Sequence, residues 1–597
     1  MMDSKKQIKS IPNLLSVSLL CLSTTAIADE VLVSDYWQHY LATRQHNSDL
    51  YSGENKTDQP VLNNFSYAGY HFGEKPIPTS MLVNHEASSF TAEDIKYDQT
   101  TGYRIFLVDD YGAKANDGKS DKQAIKRAVA EAERYVEKEA ERGAIVQFSA
   151  GRYHINEASD MTSIDPASKL DVLDGQTIKI RSSNIVLKGM GQTATELYMS
   201  QPLLPVDSSK MWTTPRIIKF EGNSKGTHSS RVIASLVGGA SKSITLSSSK
   251  GFEAGDWVRL SGKISRKEII EKQVYPYQLE ASWTAINRSL NIVEYHQITE
   301  VEGDALVFKA PVQIDIDPQD KWLVEAYEPI ENVGIEHLTL RGNWQEKFKH
   351  HARSKDGTIH DSAWSLLELN NVVNGWVKQV TLADFNAGVQ LSATGYSTVR
   401  DVLLTGTPGH LSLQFNASFN NLSMDVNDES NAWHAPGFSH RASSNVHLRT
   451  RYLASTSSDL HGAQPRINLF DNLKGGWIPS RWGAAISNLP NHLAGLTYWN
   501  FEHIGAPQTG FEMMSTKSKY GRLIAPYMIG NHGSPISFAS MQEYSKHATK
   551  KGEASYKKWL PDQPQAWLES DGERVVPESL YQAQLEQRLG ALPEWVR

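Results

Sequence analysis

From about residue 332 to residue 505 the chain alternates short apolar runs with polar turns, and the alternation keeps a register. Asn371-Val372, Thr398-Val399, Asn421-Leu422, Asn445-Val446 and Asn468-Leu469 recur at separations of 27, 23, 24 and 23 residues. Short strands at a period in the twenties predict a solenoid that winds one coil per repeat. The turn asparagines are expected to stack on their equivalents one coil away. The fixed Leu-x-x-Leu-x-Leu frame of another common solenoid of similar period is absent.

Upstream, a strand at 105–108 leads into DDYGAKANDGKSD (109–121) and then into helical spacing over 122–141, with Ile125, Val129 and Tyr135 on one face and charges on the other. Asp121 is the expected N-cap and Gly143 the stop. Strands follow at 144–148 and 151–155, and two more around the turn glycines Gly189 and Gly191 within 182–199. Residues 232–328 change character, to paired strands with tight turns, and predict a small β-rich insertion. The remaining divisions are a wrapping segment at 29–100, the first part of the solenoid at 101–231, its main coils at 329–507, and a C-terminal extension at 508–597 with a helix at 577–589.

The order strand, GAKANDGKSD, helix, IVQFSAGRYHI, NIVLKGMGQT over about residues 105–200 resembles the opening of the pectate-lyase-like superfamily. The resemblance implies an all-β, right-handed parallel β-helix whose N-terminal end is capped by the helix. It specifies a fold and not a reaction, because lyases, hydrolases, epimerases and phage tailspikes share it. SDLHGAQPRINLFDNLKGGW (458–477) and LPNHLAGLTYWNFEHIG (489–505) are also similar to the C-terminal half of a group of β-helix proteins from polysaccharide-degrading bacteria. No activity transfers from that group.

Composition narrows the field. A net charge of −7 over 597 residues gives no basic face for nucleic acid, yet leaves room for a local cationic groove. Lys5, Lys6 and Lys9, the apolar run 14–22 and Ala26-Ile27-Ala28 read as a signal peptide over 1–28, which predicts a secreted or periplasmic protein. Cys21, the one cysteine, falls within that leader, so no disulfide or thiolate metal site is expected after cleavage. No transmembrane span is expected, and the protein is expected to be a monomer acting on an extracellular polysaccharide.

Coil alignment suggests where chemistry sits. Strand centres Glu368, Gln390, Gln414, His440 and His461 are expected to point outward in one column, because flanking apolar residues point inward. Turn residues His410, Trp433, His434, Arg441, Tyr452, Arg466, Arg481, Trp482 and His492 enlarge it. Trp and Tyr stack on sugar faces, and Arg grips a uronate carboxylate. The preferred chemistry is β-elimination from a uronic-acid polysaccharide, with His440 and His461 as base and acid and Arg466 neutralising the carboxylate. The runner-up is hydrolysis by two carboxyl groups drawn from Glu368, Asp384, Asp401, Asp425 and Asp459. A non-catalytic carbohydrate-binding role is third. No cofactor and no metal are expected. Calcium at 109–121 and a metal at HHARSKDGTIHD (350–361) are each less economical readings than capping, turn formation or a plain loop.

Overall fold

The computed structural model describes residues 32–45, 62–78, 96–224, 226–345, 363–515, 518, 520–539 and 564–597. The expected leader at 1–28 and the segment 350–361 lie outside the described residues.

The chain winds as a right-handed parallel β-helix. An 18-stranded sheet and a seven-stranded sheet carry the coils. Strands of four to eight residues such as Trp376–Ala383, Thr398–Thr405 and Leu422–Asp428 pair in parallel with the equivalent strand of the next coil. These long strands bend at a single left-handed residue, repeated coil by coil: His337, Gln379, Asp401, Asp425 and Arg449 have φ between 48° and 57°. Bending each strand gives the coil two adjoining walls, and the seven-stranded sheet supplies the third. That third wall stacks Ile178–Ile180, Ile218–Glu221, Leu367–Asn370, Ala387–Ser392, Leu411–Asn416, Ala435–Ser439 and Ser458–Leu460.

The expected asparagine stack is an internal hydrogen-bond ladder. The backbone and side-chain nitrogens of Asn421 donate to Asn445 Oδ1 at 2.9 and 3.0 Å. Asn445 repeats the pattern on Asn468 Oδ1 at 3.0 and 3.1 Å. The ladder continues to His492, whose Nε2 lies 3.0 Å from Asn468 Nδ2. His492 is therefore a buried rung, not a groove residue, and burial pushes its imidazole down to about 3.

The helix Lys122–Val136 closes the N-terminal end, burying Ala124, Ile125, Ala128, Val129, Ala132 and Val136 in the main core. It is shorter than the predicted 122–141. Asp121 does not cap it through its side chain. Its carboxylate instead accepts the backbone N–H groups of Lys114 (2.8 Å) and His154 (2.9 Å), tying the loop to a strand.

Residues 229–326 carry a separate six-stranded antiparallel sheet with its own apolar core, including Val258, Leu260, Ile292, Leu306 and Val324. It packs on the turns that follow the third wall. Tyr327 Oη donates to Ala393 O at 2.8 Å, Tyr396 Oη to Tyr295 O at 2.9 Å, and Arg466 reaches Glu294 at 3.0 Å. Beyond residue 508 the solenoid continues: Tyr527–Ile529 and Trp567–Glu569 extend the first wall. The expectation that the coils end near 507 is corrected by these pairings. The helix Leu580–Leu589, N-capped by Ser579, packs with Leu62 and Phe65 of the N-terminal segment over Leu422, Val446 and Leu469. Among the described residues no helix is long and apolar enough to cross a membrane.

Candidate active site

The third wall holds the predicted column, with a corrected register. Glu368 is opposite Gln390 and Gln390 is opposite Gln414. The next two positions are Gly437 and Asp459, not His440 and His461. A bulge between Ala435 and Gly437 shifts this part of the pairing. His440 instead sits at a left-handed corner (φ 54°), like Ala393 and Ala417 of the preceding coils. His461 lies two residues beyond Asp459 and therefore shares its outward face, since Leu460 between them points into the core.

The column is not an open groove. Glu368, Gln390 and Gln414 are only 3–4% exposed. They bond along the stack: Ser392 Oγ donates to Glu368 Oε1 (2.8 Å), and Gln390 Nε2 donates to Gln414 Oε1 (3.1 Å). Gln414 then reaches across Gly437, which has no side chain, and donates to Asp459 Oδ2 at 2.5 Å. At the other end Arg216 Nε pairs with Glu368 Oε2 at 3.1 Å. Glu368 is thus held by Ser392 and Arg216, while Gln390 and Gln414 form a buried polar ladder that ends by holding one oxygen of a fully buried carboxylate.

The other oxygen faces imidazoles. Asp459 Oδ1 lies 3.1 Å from His461 Nδ1 and 3.9 Å from His434 Nδ1. Burial opposes charge on His461, but the charge of Asp459 and its hydrogen bond outweigh that and raise the imidazole above its ordinary value. The His461 side chain is 31% exposed, so this is where the ladder meets solvent. Trp482 O accepts from Leu460 N at 2.9 Å, which brings Gly483 against the pair. A Cβ at Gly483 would stand 2.5 Å from His461 Nδ1, and its φ of +86° is one that glycine adopts freely.

Around this centre the predicted residues separate. His410 and His434 are buried beside each other, ring centroids 5.6 Å apart, and His434 is 6.0 Å from His461. Trp433 is half-buried and carries the Arg481 guanidinium 3.8 Å over its ring. His440 and Arg441 are half-buried past the end of the strand. Burial, with the charges of Arg441 and His461, holds His440 down to about 4. Three expectations are corrected. Arg466 is 2% exposed and is engaged by Glu294 of the insertion, so it has no free face for a substrate carboxylate. Tyr452 is in the core, where burial drives its phenol far above the usual range and keeps it from a substrate. Trp482 is 1% exposed and packs edge-on to Phe511, 6.1 Å away. Sequence reasoning also missed that Asp459 is the partner of His461. The signal was the Asp-x-His spacing on one strand face, which puts both side chains on the same side.

Of the carboxylates proposed for hydrolysis, only Asp401 and Asp425 stand one coil apart, and they lie on another wall. Glu368 and Asp459 are four strand steps apart, roughly 19 Å at the usual spacing. Asp401 and Asp425 occupy the bend on another wall, paired with Arg400 (2.9 Å) and Arg449 (2.7 Å), and Asp384 pairs with Arg341 at 2.5 Å.

The geometry defines a parallel β-helix with an aspartate–histidine cluster where a chain of buried polar side chains meets solvent. A family model described as a domain of unknown function (DUF4955) matches residues 431–597, which include that cluster. No curated protein matches the chain. Similar solved structures include the tailspike protein gp49 from Pseudomonas phage LKA1, at 11% identity over 73% of this chain and 72% of that one, with a TM-score of 0.41. The A-module of the Azotobacter vinelandii mannuronan C-5 epimerase AlgE6 is similar at 10% identity over 73% and 94%, TM-score 0.34. The Yersinia enterocolitica family 28 exopolygalacturonase is similar at 12% identity over 73% and 66%, TM-score 0.32.

Proposed function

We propose that this chain is a secreted carbohydrate-active enzyme that cleaves a uronic-acid polysaccharide by β-elimination, with His461 as the base. The observation that carries the reading is the Asp459–His461 pair: a buried carboxylate holds Nδ1 of a partly exposed imidazole at 3.1 Å, leaving Nε2 for the substrate. A carboxylate behind an imidazole fixes its orientation and strengthens it as a base.

In the proposed step His461 Nε2 takes the C5 proton of a uronate. The C5–H electron pair forms the C4–C5 double bond, the C4–O bond breaks, and water protonates the departing oxygen. Arg441 is the cation assigned to the uronate carboxylate, in place of Arg466. His440 is neutral at pH 7 and suits hydrogen bonding to a sugar hydroxyl better than proton donation. The Trp433–Arg481 stack supplies a flat flanking surface. Hydrolysis fits less well: it needs two carboxyl groups about 5–5.5 or 6.5–9.5 Å apart, and the one aligned pair among the candidates, Asp401 and Asp425, is engaged by Arg400 and Arg449 on another wall.

The test is incubation of the mature protein with polyuronates and glycosaminoglycans. New ultraviolet absorbance from an unsaturated uronide, lost in His461→Ala, is the expected result. Reducing ends without absorbance would replace elimination by hydrolysis, and binding without either product would leave only a binding role.

A further inference from the structure

His434, Asp459 and His461 each offer one ligand atom, and these atoms all lie within 4.8 Å of one another. Bonds of about 2.0–2.2 Å to a tetrahedral cation require donors roughly 3.3 Å apart. The two contacts of Asp459 Oδ1, 3.1 Å to His461 and 3.9 Å to His434, bracket that value. The Asp459–His434 contact has to close by about 0.6 Å and the separation of the two imidazoles by at most about 1.5 Å, and His461 is the member with room to turn.

The surroundings resemble a prepared ligand. A metal-binding carboxylate works best when its second oxygen is held from behind. Here Gln414 Nε2 holds Asp459 Oδ2, and Gln390 in turn holds Gln414. Gly437, in the coil between, puts no side chain in the way. Two imidazoles and one carboxylate oxygen suit zinc and its borderline neighbours, whereas calcium and magnesium favour sets made only of oxygen. Asp459 and His434 are fully buried, and in such surroundings a divalent cation compensates a carboxylate more completely than a hydrogen bond does.

We infer that His434, Asp459 and His461 bind one zinc-class divalent cation, with an open coordination position on the exposed side of His461. The cation takes the same Oδ1 and Nδ1 that form the Asp459–His461 hydrogen bond. Metal and acid–base pair are therefore alternative states of one cluster, and occupancy silences the base. That consequence for turnover rests on the eliminative reading above; the binding itself does not.

The experiment reads binding first. Full-length protein is stripped with a chelator, titrated with Co2+ by visible absorbance, and titrated with Zn2+ against a chromophoric chelator. One ion per chain is expected. His434→Gln, chosen to keep the side chain's bulk, and Asp459→Asn should each abolish it while circular dichroism and thermal unfolding show a folded protein. Gln414→Ala should weaken affinity about 10- to 100-fold, as expected for a residue that orients a ligand. Absence of stoichiometric binding, or binding unchanged in both ligand variants, overturns the site. In the uronate assay Zn2+ should inhibit and chelator should restore; stimulation by Zn2+ would overturn the competition. A normal Co2+ spectrum in a protein that yields no unsaturated product would uphold the site and sink the lyase reading alone.

Discussion

Replacing Arg466 by alanine tests how the antiparallel insertion is fastened to the coils. The guanidinium is 2% exposed and Glu294 0%, with 3.0 Å between them. Unit charges about 4 Å apart attract by about 4 kcal/mol at an effective dielectric near 20. Removing one member of a buried pair costs about 3–5 kcal/mol, because the other charge is stranded. Glu294 would keep His296 Nε2 and the Gln313 backbone N–H, each at 3.1 Å, which puts the expected loss at the lower end, about 3 kcal/mol. A chain of this size need not unfold in one step, so the assay is the first urea transition together with limited proteolysis. Arg466→Ala should lower that transition and expose cleavage sites around the insertion. The double variant Arg466→Met, Glu294→Gln should recover about half the loss or more, since neither charge is left alone. KM for an anionic substrate should not change. Wild-type stability in Arg466→Ala, or a salt-sensitive rise in KM, would refute the assignment of Arg466 to structure.

Three further outcomes follow from the site and the C-terminal dock. Because the reacting form of His461 is neutral, the rate should rise with pH through its raised value; Asp459→Asn should move that limb to lower pH and cut kcat about 100-fold or more, and an inflection that stays put contradicts the pairing. Gly483→Ala forces an alanine to φ +86° and sets its Cβ 2.5 Å from His461 Nδ1. It should cost about 1–2 kcal/mol in backbone strain and lower kcat well beyond what reduced stability explains; a folded variant with full activity would contradict the placement. Burial raises the Asp471 carboxyl to about 7, although Ser579 Oγ and Tyr581 N donate to it at 2.8 Å. A carboxyl raised in the folded state contributes stability below its unfolded value and loses it as pH rises to about 7. Asp471→Asn should therefore flatten stability between pH 4 and 7, checked by urea unfolding at a series of pH values; an unchanged slope would remove Asp471 as its source.

The local pattern of the chain determined its winding. The Asn-Val and Asn-Leu repeats mark an internal ladder because a buried amide must find a partner, and the nearest one is its own copy in the next coil. The alternation Leu367-Glu368-Leu369, Val389-Gln390-Leu391, Leu413-Gln414-Phe415 set three rungs of the third wall in correct register, because each polar centre is flanked by core residues. The same logic failed one coil later. Ala435-Pro436-Gly437-Phe438 carries little alternation and contains the bulge, so the pattern points to His440 where the aligned position is Gly437, and to His461 where it is Asp459. Tertiary structure alone decided which outward residues stay wet: Glu368, Gln390 and Gln414 point away from the core yet are covered, while His461 keeps a third of its side chain exposed. It alone gave Arg466 its partner, 172 residues away in sequence. Periodicity records which way a side chain faces relative to its own strand. Which distant segment meets it there depends on chain paths that no local spacing encodes, and on that meeting depend its charge, its access and its chemistry.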